Sequence, residues 1–61
     1  MFTKGQIKME LASQLTPTIG AAAAFDAAMR IVDAGQTPKD LREKWGDEVA
    51  DAIDADLKDM N

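Results

Sequence analysis

The chain has 61 residues, a net charge of −4, four methionines and one tryptophan, and it contains neither cysteine nor histidine. A chain this short forms one domain and buries only about 60 percent of the surface its unfolded form exposes. The missing thiols and imidazoles exclude disulfides, thiolate metal sites and the usual activated nucleophiles. Its most apolar run, Ile19 to Ala34, is interrupted by Asp26, Arg30 and Asp33 and is unsuited to a bilayer. The opening MFTKGQIKMEL lacks the long apolar core of a signal peptide. A soluble cytoplasmic protein with no membrane partner is expected, and the initiator methionine with helix signals throughout suggests a complete small reading frame.

Thr3 followed by Gln6 fits a capping box, and Phe2 with Ile7 occupies the positions of a hydrophobic staple. Helix 1 is predicted over 4–15. Ile7, Leu11 and Leu15 recur every four residues as one apolar stripe, and Met9 points nearly the opposite way. Pro17 disfavours the helical region for Thr16 and predicts the stop.

Helix 2 is predicted over 18–34, with Gly35 placed to end it. At 100 degrees per residue, Asp26, Arg30 and Asp33 share a polar stripe. Phe25, Ala28, Met29 and Val32 face roughly the other way, and Ala24 and Ile31 widen that arc. The run GAAAAFDAAM carries six alanines in ten residues. Alanine is the best helix former, and its methyl also lets a neighbouring helix approach toward the short end of the 8 to 10 Å range. Helix 2 is therefore expected at the centre. Ala23, Ala27 and Ala34 lie away from Phe25, so a second neighbour, from this chain or from a second copy in a homodimer, is expected there.

Thr37-Pro38-Lys39-Asp40 is a strong helix start, with Thr37 as cap and Pro38 at the first helical position. Helix 3 is predicted over 38–45, with Leu41 and Trp45 on its apolar side and Gly46 as breaker. Helix 4 is predicted over 47–59, with Val49, Ile53, Leu57 and Met60 along one face. No stretch alternates as a strand does. The expected fold is all-α, a compact bundle of three main helices plus one short helix in a single domain.

The charge is uneven. Residues 1–46 hold six bases against five acids, whereas residues 47–61 hold six acids against Lys58 alone. An acidic end repels nucleic acid and membrane phosphates and attracts basic surfaces. Catalysis is not expected: Ser13 is the only serine and has no base to activate it, and paired carboxylates need a cleft with unequal environments. No cofactor or metal is expected either. Asp47, Asp51 and Asp54 sit at helical spacing, which fails the EF-hand pattern.

The segment DLREKWGDEVADAIDADL has the outline of a helix-turn-helix. Its second helix, however, carries Asp47, Glu48, Asp51 and Asp54 where groove contacts need Arg, Lys, Asn or Gln. The same acids, about 5 to 6 Å apart along a helix face, fit a mimic of nucleic acid phosphates. Asp56 and Asp59 lie near the helix C-terminus, where the dipole disfavours anions by about 0.3 to 1 kcal/mol each. Asp56 also flanks the apolar face, so a pairing with Arg30, Lys39 or Arg42 is expected.

Together these features predict a non-catalytic, acidic protein-binding module of regulatory or inhibitory kind, of the sort that phages and accessory elements encode, acting on a partner protein with a basic surface. An apolar patch around Met9, Phe25, Met29 and Trp45 supplies affinity and the helix 4 acids supply steering. The residues assigned to the partner are Met9, Trp45, Asp47, Asp51, Asp54 and Asp56. The alternatives are a phosphate mimic that blocks a nucleic-acid enzyme, an assembly component, and a helix-turn-helix-like DNA binder.

Overall fold

A computed structural model describes residues 2–60. Among them the chain forms four helices and no strand: α1 (Lys4–Ile19), α2 (Ala21–Val32), α3 (Pro38–Trp45) and α4 (Asp47–Met60). The Cα radius of gyration is 10.1 Å, close to the about 10.5 Å of a folded chain of this length. The all-α architecture agrees with the helical periodicities, and four of the predicted boundaries move.

The Thr3–Gln6 capping box forms, and α3 opens with a second one. The Thr3 hydroxyl accepts from the Gln6 N–H at 3.1 Å, while the Thr3 N–H donates to Gln6 Oε1 at 2.9 Å. Thr37 and Asp40 repeat the arrangement at the start of α3, with Pro38 in the first turn. Each box satisfies two backbone groups that the helix itself leaves open.

Helix α1 does not stop before Pro17 but winds through it to Ile19. Pro17 removes a single hydrogen bond, the one to the Ser13 carbonyl. Both residues are exposed, so water can meet that carbonyl. The next backbone bond is kept, with Gly20 N–H donating to the Thr16 carbonyl at 2.9 Å, and Thr16 Oγ1 donates to the Ala12 carbonyl at 2.6 Å. Pro17 therefore sits in the last turn, where little helix remains to be broken. Gly20 then turns the chain with φ 86 and ψ 159, a conformation essentially confined to glycine, and α2 begins at Ala21 rather than at Thr18. At its other end α2 closes at Val32 with Asp33 as cap, two residues short of the predicted limit. Helix α4 runs one residue past its predicted end, to Met60.

The alanine strip is the inner face of α2. Ala24, Ala27 and Ala28 are fully buried with Leu11 and Leu15 of α1 in one apolar cluster. The predicted arc around Phe25 is thereby split. Its Ala24 and Ala28 edge turns inward together with Ala27, while Phe25 and Met29 remain 53% and 42% exposed. The leucines of α1 supply the bulk in this interface, and only methyl groups opposite them let the backbones come close. Lys8 of α1 adds a pin at 3.0 Å to Asp33, just beyond the end of α2.

Helix α1, not α2, is the shared element: it packs on both α2 and α4, and α4 in turn carries α3. Leu41, Val49 and Ile53 complete the buried core, with Ile7, Ile31, Val32, Trp45, Leu57 and Met60 packed partly buried around it. The α3–α4 junction repeats the first one, since Gly46 with φ 94 and ψ 174 is the single residue between the two helices. The molecule thus consists of two tight helical corners joined along the seam between α1 and α4.

Candidate protein-binding surface

Helix α4 rises directly from the Gly46 corner, so its first turns stand beside the last turn of α3. This geometry brings Arg42 to two of the predicted acids. Its Nη1 donates to Asp47 at 2.8 Å and its Nη2 to Asp51 at 3.0 Å. Asp54 in turn pairs with Lys58 one helical turn later at 3.3 Å. The stripe expected to face a partner is thus engaged within the chain. All of these side chains stay exposed, where each pair contributes about 0 to 1 kcal/mol.

Trp45 is half-buried against the core, and its ring has two cationic neighbours: Arg30 Cζ lies 5.8 Å and Lys44 Nζ 5.2 Å from the ring centroid. One of these cations comes from α2 and the other from α3 itself. Met9 is 71% exposed, as its position off the α1 stripe predicts. Phe2, Phe25 and Met29 join it as large apolar side chains left outside the core. Phe25 and Met29 are one turn apart and therefore adjacent on α2.

Asp56 departs most from expectation. It forms no ion pair with Arg30, Lys39 or Arg42; Arg30 is held by Asp26 at 3.1 Å and Arg42 by Asp47 and Asp51. Instead it is 8% exposed, and its Oδ2 has no hydrogen-bond partner. Burial pushes its carboxyl above the ordinary aspartate value, and the negative charges of Glu10 and Asp59 push it the same way. Glu10 was not legible as a site residue because its relation to Asp56 exists only once α1 and α4 are docked.

An open hollow of about 420 Å³ lies on the outer side of α2, lined by Asp26, Met29, Arg30, Asp33, Ala34 and Gln36. Its two carboxylates are already held, by Arg30 and by Lys8. The described residues include no cluster of side chains fit to hold a metal ion. No described helix is long and apolar enough to cross a membrane. The α3–α4 corner has one connecting residue where a helix-turn-helix uses three or four, and its second helix opens with Asp47 and Glu48.

No protein-family model, no curated protein and no solved structure matches this chain.

Proposed function

We propose that the chain is a non-catalytic protein-binding module, a small acidic regulatory or inhibitory protein that engages a basic surface of a partner protein. The observation that carries this reading is the exposure of Phe2, Met9, Phe25 and Met29 on a domain whose core is already closed, combined with a net charge of −4. Large apolar side chains outside a filled core gain from burial against a partner, and surplus acids raise the encounter rate with a cationic one. We take it to act in the cytoplasm, which the absence of cysteine suits. Phosphate mimicry by Asp47, Asp51 and Asp54 is the weaker reading, because Arg42 neutralises part of that stripe. Self-association through α2 is left with the Phe25 and Met29 edge, since the alanine strip is spent on α1.

The test is capture from native cell extract with the wild-type chain and with Met9→Asp and Phe25→Asp, each eluted across a salt gradient. A partner that elutes with salt and is lost with at least one variant supports the reading. A captured set unchanged by salt and by both variants overturns it.

A further inference from the structure

Phe25, Asp26 and Met29 are exposed on the outward face of α2, and Arg30 is partly exposed beside them. This face is electrically balanced as well as apolar. Arg30 holds Asp26 at 3.1 Å one turn away, and Lys8 of α1 holds Asp33 at 3.0 Å just beyond the helix end. The surplus acid sits instead on α4, which packs on α1 and α3. A cationic partner therefore meets little net field on α2, whereas a face of the same composition meets its own complement.

The complement follows from order along the helix. Phe25 and Asp26 come first, and Met29 and Arg30 follow four residues later in the same order. In an antiparallel pair related by a two-fold axis, each contact made by one copy is returned by the other. An axis near residues 27 and 28 sets Phe25 opposite Met29 and Asp26 opposite Arg30 in a single register. The apolar flank then meets the apolar flank, and each acid meets a base. We infer that the outward face of α2 is the interface of a two-fold antiparallel homodimer, in which Phe25 packs on Met29 of the partner subunit and Asp26 pairs with the partner's Arg30. Phe, Met and Arg are residue types that such interface cores favour. The contact is confined to one helix of 12 residues, which puts it below about 1,200 Å² and in the weak, transient class. A dissociation constant on the order of 0.1 to 1 mM is expected, so the chain is monomeric at the concentrations of a denaturation experiment. The dimer goes beyond the proposed function and leaves Phe2, Met9 and the α4 acids to the basic partner.

Sedimentation equilibrium of the full chain from micromolar to millimolar concentration tests this, with circular dichroism to confirm that each variant folds. The expected wild-type mass rises from monomer toward dimer. Phe25→Ala, Asp26→Arg and Arg30→Asp each raise the concentration for half-association about tenfold or more, because like charges then face each other or the apolar contact is lost. An equal mixture of Asp26→Arg and Arg30→Asp restores association, since every facing pair is again opposite in sign. Both variants remain net negative, so bulk attraction does not account for such a rescue. Should Arg30→Asp, which also gives up the contact with Trp45, fail to fold, Phe25→Ala and Asp26→Arg decide. Association unaffected by these variants, or a folded mixture that stays monomeric while wild type associates, overturns the interface. A wild-type chain that is monomeric throughout overturns the dimer and leaves the basic-partner reading standing.

Discussion

Arg42 Nη1 donates to the Asp47 carboxylate at 2.8 Å across the Gly46 corner, a bond that forms only because α4 starts one residue after α3 ends. The pair is exposed, and Asp47 also lies at the N-terminus of α4, where the helix dipole favours an anion without help. Arg42→Ala is therefore expected to lower stability by no more than about 1 kcal/mol, with the difference shrinking as salt is raised. Urea denaturation at low and high salt checks this. A loss of several kcal/mol would mean that the guanidinium organises the corner.

Gly20→Ala tests the first corner. No atom lies within 4 Å of the added Cβ, so the cost is confined to the backbone at φ 86. Such a conformation in a residue other than glycine costs about 1 to 3 kcal/mol. Thermal denaturation of the variant reads it directly, and an unchanged midpoint contradicts the corner geometry.

The alanine interface makes opposite forecasts for neighbouring residues. Ala28→Leu forces bulk between α1 and α2 and should destabilise by about 1 to 3 kcal/mol. Phe25→Ala, despite removing a far larger side chain, should stay within about 0.5 kcal/mol because Phe25 lies outside the packed face. Chemical denaturation of the two variants in parallel decides the orientation of α2; the reverse ranking would turn the helix around.

Asp56 makes stability depend on pH in a defined direction. Its carboxyl is held above the ordinary aspartate value in the folded chain, so the folded state binds the proton more tightly than the unfolded state does. The neutral form is the better tolerated one. Stability from this group is fully present below the unfolded aspartate value of about 3.9 and is lost as pH rises through the higher folded value. Asp56→Asn should remove that component and leave the variant more stable than wild type near neutrality, by about 1 kcal/mol. Denaturation curves across the acidic to neutral range for both chains test this, and identical pH profiles would remove Asp56 as the cause.

The parts of the fold set by local chemistry were legible in the sequence. Thr3 with Gln6 and Thr37 with Asp40 announce two helix starts, and Leu11, Leu15, Val49 and Ile53 announce the core by their spacing. Pro17 misled because its effect depends on how much helix follows it, and only three helical residues include and follow it. The facing of α2 was hidden for another reason. Projection weights a face by the size of its side chains, whereas close approach selects the face that is smallest. The pairing of the α4 acids was the least legible part. Whether an aspartate on α4 meets Arg42, Lys58 or nothing is decided by docking between helices, and so Asp47, Asp51 and Asp54 proved occupied while Glu10 entered from a distant part of the chain.

The two single-glycine joints leave this molecule with almost no slack. Apart from Gly20 and Gly46, only the five residues 33–37 connect helices without belonging to one. Inserting a tag, a label or a foreign peptide at either joint would have to pry apart packed helices, whereas the 33–37 connection can be lengthened with little disturbance to the α1–α4 seam. Any fusion meant to report on that seam in a living cell belongs there.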